Sequence, residues 1–228
     1  MIVPCPVYSR VVDLLVGSKS EDQVYEDLSR IVNTITGQKL IRNVQFDAEA
    51  KPVETCLTRF YLRGSQQAAK IKPFLDFRYD VLEYGGGIGR LAHELVGACQ
   101  SLTIAEVNPL MVEYGSALCP DISFKLLDQV SGTYDLIYSV AVFFHLHRDQ
   151  QAHAVKWVYD RLKPGGKFLL DLVLVRGKTN EPRYADGKIM GRVNKREFYG
   201  SLSPYFEIKR VKLFNTGLLL TKKPIKNY

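Results

Sequence analysis

The run Val81-Leu82-Glu83-Tyr84-Gly85-Gly86-Gly87-Ile88-Gly89-Arg90 packs four glycines into five positions, with an acid just before them and an arginine just after. Glycine weakens regular structure, so bare backbone here implies that a ligand lies close against the chain. A second acid, Glu106, ends the next apolar run. A carboxylate at Glu83 would repel a pyrophosphate and attract an ammonium or sulfonium group. A unit charge pair ~4 Å apart is worth about 4 kcal/mol at an intermediate dielectric. A carboxylate at Glu106 can accept both hydroxyl hydrogens of a ribose. The dinucleotide pattern G-x-G-x-x-G would need glycine where Arg90 stands, and no Gly-Lys-Ser/Thr follows to make a P-loop. The ligand chemistry common to these features is a phosphate-free nucleoside with a zwitterionic amino-acid end. S-adenosylmethionine is therefore the expected ligand, lying on Gly85, Gly86 and Gly87. Its ammonium is expected at Glu83, its ribose at Glu106 and its carboxylate at Arg90 or Arg63.

Such a loop must be presented by a strand and followed by a helix. "YDVLEY" reads as that strand and "GRLAHELVGACQ" as that helix. "SLTIAEV", "ISFKLLD", "YDLIYSV" and "GKFLLDLVL" read as further strands, the last entered through the turn "KPGG". "PLMVEYGSAL" and "RDQQAHAVKWVYDRL" read as helices between them, the second with Ala152, Val155, Val158 and Leu162 on one side. This alternation predicts a doubly wound, mainly parallel α/β sheet. Near the end, "NKREFYGSL" reads as a short helix. "YFEIKRVKLF" and "GLLLTKK" read as an antiparallel hairpin turning at Asn215–Gly217. Before the sheet, Ser20 and Gln23 fit a capping box, and Val24, Leu28, Ile31 and Ile35 recur at helical spacing. A second helix is expected through "SQQAAKIKPFL". We expect residues 1–65 to form a helical cap or lid and residues 66–228 the ligand-binding domain.

The 228 residues are 46% hydrophobic and 24% charged, ordinary for a globular protein with a sizeable core. No apolar run reaches the roughly 18 residues of a membrane helix. No secretory signal is evident, so a cytoplasmic location and no membrane partner are expected. The four cysteines include no C-x-x-C pair, which gives no support to a metal site. The net charge is +7, and residues 176–228, with 13 bases and 4 acids, hold most of the excess. A solvated basic face is the plain reading of that segment. An anionic substrate or a nucleic acid is the functional one.

These motifs together resemble class I S-adenosylmethionine-dependent methyltransferases over about residues 61–175. "VLEYGGGIG" is similar to that family's acid-x-G-x-G-x-G motif, "LTIAEVNPLMVEYG" to its second strand and helix, and "YDLIYSVAVFFHL" to its fourth strand. The resemblance implies a seven-stranded Rossmann-like sheet with a reversed last strand. It also implies S-adenosylhomocysteine as product. It places Glu106, Val107, Asn108 and Met111 at the ribose and adenosine, Asp128 and Gln129 at the adenine, and Ser139 and Phe143 beside the cofactor. Tyr61 and Arg63, in "FYLRG", resemble a segment that folds over the methionine end. Tyr84 departs from the small residues usual there.

Methyl transfer needs an acceptor lone pair in line with the methyl and, for a hydroxyl, a proton acceptor. His145, after the fourth strand, is the expected base because imidazole takes a proton near neutral pH. Asp171, at the end of the fifth strand, is expected to orient it or the substrate. Neither Asn/Asp-Pro-Pro-Tyr/Phe nor Pro-Cys follows strand four, which points to direct O- or N-methylation. A small acceptor, acidic or sugar-linked, is the leading expectation, with Arg176, Lys178, Arg183, Lys188 and Arg192 beside it. RNA or protein methylation is the alternative and is less favoured. A non-catalytic binding subunit is a third.

Overall fold

The computed structural model describes residues 18–36, 52–175, 180–185 and 188–224. Two helices precede the sheet: α1, Glu21–Thr36, and α2, Pro52–Ile71. Ser20 Oγ accepts the Gln23 N–H at 3.2 Å and so caps α1. Val24, Leu28 and Ile31 are buried along one side of it. The side chain of Ile35 lies outside the described set. Helix α2 starts well before the expected segment and passes unbroken through residue 65, where the sequence suggested a boundary. It gives way to a 3-10 turn at Lys72–Phe74, because Pro73 has no N–H to continue the α-helical ladder.

The sheet follows as β1, Asp80–Tyr84; β2, Ser101–Glu106; β3, Ser123–Leu126; β4, Tyr134–Val140; β5, Leu162–Leu172; β9, Phe206–Val211; and β10, Thr216–Lys222. Its seven strands run in the order β3-β2-β1-β4-β5-β10-β9. Pairings among β1 to β5 are parallel, while β10 is antiparallel to both β5 and β9. This is the doubly wound sheet with a reversed strand that the sequence predicts. Gly217 is needed at the hairpin, where a Cβ would stand 2.6 Å from the Val211 carbonyl oxygen.

Between the strands lie α3, Ala92–Leu95; α4, Pro109–Leu118; α5, Arg148–Arg161; and α6, Lys195–Leu202. Side chains of α1, α2, α3 and α4 share one core with Val81, Leu136 and Tyr138 on one sheet face. Those of α5 and α6 share a second with Leu82, Ile137 and Phe168 on the other. Strand alternation explains the split: successive residues of β1 and β4 point to opposite faces. Helix α3 is shorter than its sequence suggested. Gly89 sits at φ +86°, so helical geometry begins only beyond it, and Val96–Ala98 closes as a 3-10 turn. On α5 the inner face is Gln151, Ala154, Val155 and Val158, and Ala152 is exposed.

Within the segment expected to form a cap, helix α1 is built into the core beside α4, and a buried polar cluster joins them. Tyr114 Oη donates to Asp27 Oδ2 at 3.0 Å, and Lys19 Nζ lies 3.0 Å from Asp27 and 2.7 Å from Glu113. Burial pushes the Asp27 carboxyl up, but bonds from Lys19, Tyr114 and Gln23 outweigh it and leave it below its ordinary value.

A second, smaller sheet was not foreseen. Strands β6, Leu174–Val175; β7, Asn180–Ala185; and β8, Lys188–Asn194 pair in the order β6-β8-β7. It is inserted between β5 and α6, and β8 packs against the 3-10 turn Phe143–His145 after β4.

Candidate cofactor and active site

The glycine loop leaves β1 at the carboxyl end of the sheet. The Gly85 N–H donates to the Ala105 carbonyl at 2.8 Å, which carries the β1–β2 ladder one step further. Gly85, Gly87 and Gly89 all lie at positive φ, +74°, +58° and +86°. Their surroundings differ. A Cβ on Gly85 would meet Val142 Cγ2 at 2.7 Å, one on Gly86 would meet Glu83 Cδ and Ile104 Cγ2 at 2.9 Å, and one on Gly89 would meet Phe124 Cζ at 2.9 Å. Gly87 has only Met111 Sδ, at 3.9 Å. Three glycines thus seat the loop on the protein. The fourth leaves a surface that a side chain would fill, which is the fit a flat ligand needs.

The two acids sit differently from one another. Glu106 ends β2 at the loop's flank. Its Oε2 accepts the Gly87 N–H at 2.9 Å, and its Oε1 accepts the N–H groups of Val107 at 2.7 Å and Asn108 at 3.2 Å. The carboxylate therefore ties the open glycine to the tip of β2. Glu83 is beneath the loop, 3% exposed, and accepts the Tyr138 hydroxyl at 2.9 Å. Burial pushes its carboxyl up to about 7; Tyr138, Arg90 and the Ala92 N–H pull the other way, while Glu106 adds to the rise. Glu83 thus supports the loop from below rather than standing in the open beside it.

The two arginines also part company. Arg63, on α2, is exposed. The Arg90 guanidinium is largely buried, which lowers its pKa, and it donates to Gln67. Gly64 permits this contact between helices, because a Cβ there would stand 2.4 Å from the Arg90 carbonyl oxygen. Tyr61 braces the loop from the same helix, its hydroxyl donating to the Ile88 carbonyl at 2.8 Å.

Beyond Glu106, Val107 is 71% exposed, an apolar side chain held at the lip by its own N–H bond to that acid. Asn108 caps α4 by accepting the Leu110 N–H at 3.0 Å, with Pro109 opening the helix. Asp128 and Gln129 are exposed on the 3-10 turn after β3. The structure brings Gly85, Gly86, Gly87, Glu106, Val107, Asn108 and Met111 together around the ends of β1 and β2.

Phe143 and Ser139, expected beside the cofactor, and Asp171, expected to orient the base or the substrate, all make contacts within the protein. Phe143 is fully buried in the α5/α6 core, packed against Tyr84, Phe168 and Phe198. Ser139 is buried and donates to the Tyr84 carbonyl at 3.0 Å, which locks β4 to β1. Asp171 is fully buried. It accepts the Phe214 and Asn215 N–H groups at 3.1 and 2.9 Å and the Asn215 side-chain amide at 2.9 Å. Its carboxylate is thus the anchor of the β9–β10 hairpin, and a buried acceptor already holding three donors is poorly placed to orient a base. His145 is exposed on the turn after β4, its ring against Phe144. Tyr138 carries no sequence signal of its own as a site residue; only its register opposite Glu83 reveals the bond it makes.

Among the described residues no group of three or more His, Cys, Asp or Glu could hold a metal ion, and no helix is long and apolar enough to cross a membrane. Residues 81–166 match the family described as a methyltransferase domain. No curated protein matches the sequence. Among solved structures, a TehB-like SAM-dependent methyltransferase from Corynebacterium glutamicum is similar at 19% identity, over 70% of this chain and 88% of that one, with a TM-score of 0.53. DesVI of Streptomyces venezuelae is similar at 12% identity, over 74% and 97%, with a TM-score of 0.59. An amino pentose methyltransferase from Micromonospora echinaspora, solved with SAM bound, is similar at 15% identity, over 72% and 92%, with a TM-score of 0.56. At these identities the likeness is one of fold.

Proposed function

We propose that this chain is a class I S-adenosylmethionine-dependent methyltransferase and that it methylates an oxygen or nitrogen of a small molecule seated above the tip of β4; the methyltransferase-domain match over residues 81–166 supports the first part. One observation carries the reading. The open backbone of Gly87 is tied by its N–H to Glu106, a carboxylate at the position a ribose would reach. Glu106 would hold the ribose hydroxyls, Val107 would cover the base, Asp128 would meet its amino group and Arg63 would pair with the amino-acid carboxylate. Bound S-adenosylmethionine supplies a methyl group already activated by its sulfonium. The protein's own tasks are to hold the acceptor in line and to receive its proton. His145 receives that proton on an imidazole nitrogen.

The acceptor is acidic or sugar-linked in this reading. Support comes from the basic run holding Arg176, Lys178, Arg183, Lys188 and Arg192, part of which lies on β7 and β8. One similar fold belongs to an amino pentose methyltransferase and another to a glycopeptide N-methyltransferase. The same basic excess is what an RNA methyltransferase would carry, and its binding to bulk RNA would fall steeply with salt. The deciding experiment adds methyl-labelled S-adenosylmethionine and the protein to a cell extract and identifies the labelled product by mass. A labelled small molecule supports the reading. Label confined to RNA or protein, or absent, overturns it.

A further inference from the structure

Glu83 and Tyr138 face each other in register on the neighbouring parallel strands β1 and β4. Both are buried on the same sheet face, and the hydroxyl donates to the carboxylate at 2.9 Å. Directly above is Gly86, whose missing Cβ leaves room for that carboxylate. The charged and titratable groups around the pair come from four elements. Tyr138 stands on β4 and Arg90 follows the loop. Glu106 ends β2, and Cys99 follows the 3-10 turn Val96–Ala98. The Ala92 N–H at the start of α3 also faces Glu83. Among the groups that favour a charged Glu83, the Tyr138 hydroxyl comes first. Burial and the Glu83 carboxylate push the Tyr138 phenol far above its ordinary value, so it remains a donor throughout the neutral range.

We propose that Tyr138 is a positioning residue for cofactor binding: it holds the Glu83 carboxylate charged beneath Gly86 and, through that charge, strengthens the hold on a cationic ligand. The proposal rests on the cofactor reading above. Tyr138 touches no ligand itself. A phenylalanine would keep the ring and the packing but remove the hydroxyl bonded to the acid. Glu83 would then keep its proton to higher pH, and the loop would lose its negative underside at neutral pH. The effect belongs to charge rather than shape, so raising the pH should restore what the hydroxyl provided.

The test is calorimetric binding of S-adenosylmethionine from pH 6 to 9 by the wild-type protein, Tyr138→Phe and Glu83→Gln. The ligand's own ammonium titrates alike in all three, so differences between proteins are the readout. Wild-type affinity should rise through about pH 7. Tyr138→Phe should bind about 5-fold more weakly at pH 7, with its midpoint about one pH unit higher and near wild-type affinity at pH 9. Glu83→Gln should lack the step. An unchanged midpoint in Tyr138→Phe, or a loss that pH 9 does not restore, overturns the proposal. Should Tyr138→Phe fail to fold, Glu83→Gln decides: a step retained at the wild-type midpoint overturns it, and a missing step supports it. If the wild-type protein takes up neither S-adenosylmethionine nor S-adenosylhomocysteine, the cofactor reading itself is wrong.

Discussion

The carboxylate of Glu106 accepts the Gly87 N–H at 2.9 Å, joining the one loop glycine with open space above it to the tip of the neighbouring strand. The acid thus shapes the loop, and we propose that it also meets the ribose. Glu106→Ala should weaken binding of S-adenosylhomocysteine by 10-fold or more, on the order of 1.4 kcal/mol for a lost pair of hydrogen bonds. Isothermal calorimetry measures this directly, and wild-type affinity in the variant would remove Glu106 from the site.

Gly87 and Gly85 should respond differently to alanine. Both have positive φ, which costs a Cβ-bearing residue roughly 1–2 kcal/mol. At Gly87 that strain is the main cost to folding, since no atom lies nearer than Met111 Sδ at 3.9 Å. Gly87→Ala should fold and lose cofactor affinity, because the methyl occupies the ligand's surface. Gly85→Ala adds a 2.7 Å clash with Val142 and should lower the melting temperature further. Thermal melts with and without S-adenosylhomocysteine separate the two. A Gly87→Ala protein still stabilised by the ligand as wild type is would contradict this assignment.

Glu83 makes stability depend on pH in a direction set by its burial. Its carboxyl is raised from 4.5 to about 7 in the folded chain, so between those values the folded state binds more protons than the unfolded one. The associated stability is complete below about pH 4.5 and is lost as the pH rises through about 7. The whole effect is on the order of 3 kcal/mol. Glu83→Gln should remove that slope from melts between pH 5 and 8.5. A variant with the wild-type slope would show that another group causes it.

Asp171 and His145, which the sequence cast as partners, should separate on mutation. Asp171→Ala strips three donors of a buried acceptor and should cost about 1–3 kcal/mol or more in stability. Cofactor affinity measured well below the melting temperature should hardly change. His145→Gln, on an exposed turn, should leave the melt unchanged and lower kcat by about 10²-fold or more if it takes the acceptor's proton. A full kcat in His145→Gln points to transfer without a base.

Much of the molecule is determined by local chemistry and could be read along the chain. Short apolar runs mark β1, β2, β4 and β5, the Ser20 cap starts its helix, and Asn215–Gly217 turns the hairpin. Each signal lies within a few residues of the element it specifies. The glycine spacing and the two strand-tip acids likewise announce the ligand's chemistry without any knowledge of contacts. Partnership between distant residues is another matter. Val142 and Phe124 decide which glycines are packed and which one is open, Asn215 claims Asp171, and Phe168 and Phe198 draw Phe143 into the core. The small β6-β8-β7 sheet also escaped notice, because its strands lack the apolar alternation that marks a half-buried strand. A side chain's type sets what it can bond to, but only folding brings one candidate within 3 Å and shuts the others out. That is why the loop could be recognised from its residues, whereas the bond from Tyr138 to the acid beneath it emerges only in the register of β1 on β4.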